Sequence, residues 1–137
     1  MTEFSQKLSR ATAPLMGGPI RVVLIISAKL ERLGWSIVVE GQDDMELLGQ
    51  FSSLGAGLAF LTSHPADVAL IDEGMLTPKH CATLQEYAAQ QPSRILLIAR
   101  HPMDEPLGDS PYSFASACLL KGVAAASLLA AIRGEQA

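Results

Sequence analysis

Three nearly continuous apolar runs mark the chain. Ile20-Arg21-Val22-Val23-Leu24-Ile25-Ile26 is β-branched almost throughout. Val68-Ala69-Leu70-Ile71 is entered from Pro65 and Asp67, and Ile95-Leu96-Leu97-Ile98 from Pro92. Runs that are apolar at successive positions, not alternate ones, belong to strands buried on both faces of a parallel sheet. Ala115 to Leu120 is a fourth candidate strand, and Met45 to Phe51 fits a shorter, edge-like one. Between the runs the period lengthens. Thr77-Pro78 is an N-cap and N1 pair that opens a helix running to about Gln90. Gly122 to Arg133 is an Ala/Leu-rich helix closed by Gly134. Leu30 to Gly41 sets Leu30, Leu33, Ile37 and Gly41 on one helical face, although Ser36-Ile37-Val38-Val39 within it also suits a strand. Strands alternating with helices in short units predict an α/β fold with a parallel sheet.

Composition narrows the class. The 137 residues allow one domain, and 49% apolar content supplies a full core. Charged residues make up 18%, against ~25% in an average soluble domain, so a partner is expected to cover part of the surface. The net charge of −4 argues against direct nucleic-acid contact by this domain. No apolar run approaches the ~20 residues of a membrane span. Residues 1–19, rich in Ser, Thr, Ala, Gly and Pro, read as a flexible arm and lack the apolar core of a secretory signal. Two cysteines, Cys81 and Cys118, make no disulfide framework, so a reduced cytoplasmic setting is the default.

In parallel α/β sheets the site lies at the carboxyl ends of the strands. The residues there are Ile26-Ser27, Asp72-Glu73, Ala99-Arg100 and Lys121. Asp72 and Lys121 stand out, each a charge directly after an apolar strand. With Ile20–Ser27, Glu46-Leu47-Leu48-Gly49, Pro65–Asp72 with Met75, Arg94–Ala99, Leu119-Leu120-Lys121 and the tail Ser127–Arg133, the chain resembles the receiver domain of two-component response regulators. It is most similar to the subfamily that carries a LuxR-type helix-turn-helix. The spacings from Ser27 to Asp72 and from Asp72 to Lys121 are close to the family's. The resemblance implies a CheY-like, flavodoxin-like doubly wound sheet of five parallel strands in the order 2-1-3-4-5, spanning residues 20–137. It also assigns Leu30–Gly41 to the first helix and Met45–Phe51 to the second strand.

The family transfers a phosphoryl group to the aspartate ending the third strand, here Asp72. Mg²⁺ offsets the charge, held by that aspartate and an acidic pair after the first strand. At the pair positions stand Ile26 and Ser27, and Ile26 offers no oxygen ligand. The Ser or Thr expected at the end of the fourth strand is Ala99, and the aromatic switch position in the fifth is Cys118. Gly122 follows Lys121, so no cis-proline is implied there. Pro102, Pro106, Gly108 and Pro111 fall where the family has its fourth helix. At ~3 kcal/mol per interior proline, a loop or one short turn is expected instead. Asp72 and Lys121 are then expected to form a structural ion pair, with Glu73 competing for the lysine.

The remaining candidates are weaker. His64, His80 and His101 share no ligand spacing, and neither a metal nor a cofactor is expected. Cys118 reads as a small core residue, and Gly55-Ala56-Gly57 as a site of close helix–sheet packing. If Leu30, Leu33 and Ile37 face the sheet, Trp35 and Val39 project outward. Together with Ala126, Leu129 and Ala130 of the fifth helix they would form a homodimer interface. The expectation is an atypical pseudo-receiver, not an enzyme, that acts by association in a transcription regulator whose DNA-binding module lies elsewhere. Its alternatives are a small-molecule sensor using the cleft of Ser27, Asp72, Ala99 and Lys121, and a working receiver phosphorylated on Asp72.

Overall fold

The computed structural model describes residues 18–134, so the expected arm up to residue 17 lies outside the described residues. Five strands form one parallel sheet: β1 (Ile20–Ile25), β2 (Met45–Phe51), β3 (Val68–Asp72), β4 (Arg94–Ala99) and β5 (Ala117–Leu120). Four α-helices connect and cover them: α1 (Lys29–Glu40), α2 (Leu54–Ser63), α3 (Pro78–Gln90) and α4 (Ala125–Ile132). The strand order is β2-β1-β3-β4-β5, as the resemblance implies.

The successive apolar positions of β1 divide between two cores. Ile20, Val22, Leu24 and Ile26 face α1 and α4, where they meet Val39, Leu128, Ala131 and Ile132. Val23 and Ile25 face α2 and α3, where they meet Leu54, Leu61 and Leu84. Val68 to Ile71 are likewise fully buried, which is why no polar alternation marks these strands. Gly57 lets α2 approach the sheet, since a Cβ there would sit 2.4 Å from Ile25 Cδ1. Gly55 meets nothing, so close packing rests on one of the two glycines. Thr77 caps α3 as expected, accepting from the His80 amide at 3.2 Å, with Pro78 at N1.

The stretch in place of the fourth helix forms a single 3-10 turn, Leu107–Asp109, among bends and turns. Its apolar side chains still do a helix's packing. Leu107, Tyr112 and Phe114 lie on the α2–α3 core, and Tyr112 meets Phe114 edge to face. Helix α4 starts three residues later than its sequence pattern, because Gly122 takes a positive φ of 88° in the turn after β5. Among the described residues no helix is long and apolar enough to cross a membrane.

The expected orientation of α1 is reversed. Ser36 and Val39 face the sheet and are buried, and Trp35 packs against the same core. Leu30, Leu33 and Ile37 instead face solvent, at 84%, 46% and 64% exposure. Helix α1 has apolar residues on two sides, and periodicity alone does not say which side meets the sheet. The small Ser36, whose hydroxyl donates to Leu33 O at 2.7 Å, satisfies itself locally and lets the helix sit close.

Candidate functional site at the strand ends

Asp72 closes β3 and is 9% exposed. Its Oδ1 accepts from the Gly74 amide at 3.0 Å, which starts the 3-10 turn Glu73–Met75. Its Oδ2 accepts from the Ser27 hydroxyl at 3.4 Å, so the surviving acceptor and one altered position of the acidic pair touch. Both carboxylate oxygens therefore have a partner from their own strand ends.

Lys121 is held differently from expectation. Its amide donates to Ala99 O at 2.7 Å, continuing the β4–β5 ladder, and its Nζ lies 3.0 Å from Glu31 Oε1. The expected Asp72–Lys121 pair does not form. Glu31, in the first turn of α1, reaches the lysine from the other side of the cleft and takes its charge. Glu73 is no competitor either, since its Oε2 accepts from the Tyr112 hydroxyl at 2.9 Å. Arg32 adds a second cation, its Nη1 donating to Ile26 O at 2.7 Å and Ser27 O at 3.3 Å. Sequence reasoning passed over Glu31 and Arg32. Their signal was two opposite charges one turn beyond the first strand, where a helix start delivers them to the sheet's carboxyl edge.

The four altered positions fall into place around this pair. Ile26 is fully buried in the α1–α4 core, and Ala99 is buried at the end of β4. Ser27 is exposed, and Cys118 is half-buried on the opposite sheet face. A Mg²⁺ ion of the kind the fold family uses does not fit these residues. The Ile26 side chain points into the core and offers no oxygen, while Arg32 occupies the carbonyls of both pair residues. Among the described residues no group of three His, Cys, Asp or Glu side chains converges as a metal site. His64 stacks on Phe60 at 4.3 Å, and His80 Nδ1 lies 2.9 Å from Thr77 Oγ1.

Where the fourth helix is missing, two shallow clefts open beside the site. One, of about 340 Å³, is lined by Met103, Leu107, Cys118 and Leu120 among others. The other, of about 280 Å³, runs past Ala99, Glu73 and Tyr112. Burial, and after it the charge of Glu73, pushes the Cys118 and Cys81 thiols up, which disfavours the reactive thiolate. The Tyr112 hydroxyl is pushed up from 10.0 to about 12, by burial first and then by its hydrogen bond to Glu73. The fold thus favours the neutral phenol. That contribution is complete below the ordinary phenol pKa and is lost as pH rises toward the folded value. A tyrosinate absorbance step near pH 12, missing from Tyr112→Phe, is the expected result. Its absence from the parent protein would count against the contact.

The residues expected to form a dimer interface do not present one common surface. Val39 is fully buried, and Trp35 and Leu129 pack partly buried against the core of their own domain. Ala130 is half-buried, and Ala126 alone of the five is exposed. The outward side of α1 is Leu30, Leu33 and Ile37.

No family model and no curated protein matches the chain. Solved structures do. The signal receiver domain of the response regulator NarL from Mycobacterium tuberculosis shares 27% identity over 85% of this chain and 98% of its own, with a TM-score of 0.67. The response regulator domain of CheB from Thermotoga maritima shares 17% over 85% and 96%, with a TM-score of 0.71. A LuxR-family two-component response regulator from an Aurantimonas species shares 15% over 87% and 89%, with a TM-score of 0.68. The last two are likenesses of fold. With this strand order, and with Asp72 and Lys121 closing the third and fifth strands, the chain has the CheY-like receiver fold and is similar to the receiver domains of response regulators.

Proposed function

We propose that this receiver domain is a pseudo-receiver, which regulates by protein association and not by Mg²⁺-dependent phosphoryl transfer to Asp72. The observation that carries the reading is the state of the acidic-pair positions. Ile26 is part of the core, and the charges at the site already neutralise one another as Glu31 with Lys121. An incoming phosphoryl group would add negative charge beside Asp72 with no divalent cation to offset it. The likeness to NarL and to a LuxR-family regulator supports placing the domain in a bacterial transcription regulator, with DNA contact assigned to a separate module. The loss of the fourth helix points the same way, since that helix belongs to the surface by which receivers pass on phosphorylation.

Intact-mass measurement after incubation with a small phosphodonor and millimolar Mg²⁺ tests this. The expected result is unmodified protein. A stoichiometric phosphoryl adduct that disappears in Asp72→Asn would overturn the reading.

A further inference from the structure

The outward side of α1 carries a pattern that the core does not use. Leu30, Leu33, Gly34 and Ile37 stand at i, i+3, i+4 and i+7, one continuous stripe along about two turns. All four are exposed, and a Cβ built on Gly34 would meet nothing within 4 Å. A stripe of large apolar side chains with a glycine notch at its middle is unusual on a free surface, where contiguous apolar patches mark contacts.

The stripe is palindromic. About the midpoint between Leu33 and Gly34, Leu30 is the counterpart of Ile37, and Leu33 the counterpart of Gly34. An antiparallel copy of the same helix, related by a twofold axis, would therefore set Leu30 against Ile37 of the other copy. It would also place each Leu33 over the notch of the opposite Gly34. The charges at the two ends of α1 also suit an antiparallel pair, although they are not symmetric about the stripe's midpoint: Lys29 would lie level with Val38 of the other copy, two residues from Glu40. Lys29 at the start of α1 and Glu40 at its end are both exposed and lie on the same flank of the stripe. Antiparallel pairing brings that flank of one helix beside the same flank of the other, so Lys29 comes within reach of the opposite Glu40, twice over. Trp35 and Val39 hold the helix to its own domain from behind and leave the stripe free.

We infer that α1 is the contact by which two copies of this domain associate, antiparallel and through the Leu30–Leu33–Gly34–Ile37 stripe. The inference rests on the association reading above and names its partner as a second copy. Such an interface is isologous and closes on itself as a dimer. Its area, about two turns of one helix face from each copy, is below that of standard stable interfaces, so the dimer is reversible and concentration-dependent.

Sedimentation over a series reaching high micromolar concentrations tests it, on the parent and three variants. The parent should shift from monomer to dimer. Ile37→Glu should remain monomeric with unchanged thermal stability, because Ile37 makes no core contact. Lys29→Glu should weaken the dimer several-fold, and Lys29→Glu combined with Glu40→Lys should restore it. A parent that stays monomeric overturns the inference, as does a dimer indifferent to Ile37→Glu. Failure of the double variant to recover overturns the antiparallel arrangement. None of these outcomes bears on phosphorylation of Asp72, so failure here is distinct from failure of the pseudo-receiver reading.

Discussion

Replacing Ile26 with aspartate should destabilise the domain by more than about 3 kcal/mol. In the family's pattern this would restore half of the metal-binding pair. In this chain it would instead place a carboxylate among Leu24, Val39 and Leu128, at a side chain with no exposed surface. Loss of the isoleucine's burial accounts for roughly 1.5–3 kcal/mol, and desolvation of the acid adds to it. The new carboxyl would avoid ionising in the fold, so its folded pKa lies above its unfolded one. The deficit is then smallest below the unfolded pKa and grows as pH rises toward the folded value. Ser27→Asp is the comparison. It replaces the hydroxyl that donates to Asp72 with a second carboxylate, but the side chain is exposed, so it should cost less than Ile26→Asp. Urea unfolding of both variants at neutral and acidic pH decides the matter. An Ile26→Asp protein within about 1 kcal/mol of its parent would show that the position turns outward readily. The departure from the family's chemistry is therefore a property of the core as much as of the surface.

That coupling explains which parts of the molecule the sequence discloses. The buried strands show directly, because a strand covered on both faces needs apolar residues at successive positions, as in Val68–Ile71. Thr77-Pro78 shows because a cap and an N1 proline are local chemistry. The missing fourth helix shows because Pro102, Pro106 and Pro111 act on their own backbone. The orientation of α1 does not show. Leu30, Leu33 and Ile37 make the stronger periodic stripe, yet the sheet takes Ser36 and Val39, a choice set by how closely the helix backbone must approach β1 and β2. At the site, the positions of Asp72 and Lys121 follow from strand ends, whereas their partners do not. The aspartate binds Ser27 and Gly74 while the lysine binds Glu31, because a carboxylate one helical turn into α1 reaches the lysine first. Long-range choices among several acids depend on geometry that spacing does not carry.

Arg94→Ala should cost about 2–4 kcal/mol, although Arg94 lies far from the strand-end site. Helix α4 has only eight residues, below the length at which a helix is stable alone, and has no basic residue in its last turn. Its terminal carbonyls gather negative partial charge that needs donors. Arg94, the first residue of β4, supplies them from the sheet: Nη1 donates to Ala131 O at 2.9 Å, and Nη2 donates to Ile132 O. Burial pulls the guanidinium's pKa down, and the charge of Asp67 opposes the shift. An arginine retains its charge at neutral pH through such a shift. Truncation would leave two half-buried carbonyls without a charged donor and loosen α4 from Ile20 and Val22. Arg133, next to it, joins Asp44 through Nε at 2.7 Å and Nη2 at 2.9 Å, but both side chains are about a quarter exposed. Arg133→Ala should accordingly cost less, near 1 kcal/mol. Because Trp35 and Leu129 pack against the core that α1 and α4 share, a loosened α4 also removes support from α1. Amide exchange should therefore speed up in α4 and along α1 in Arg94→Ala, while α2 and α3 keep the parent's protection. Equal losses for the two arginines, or exchange confined to α4, would refute this account of how the shared face is held.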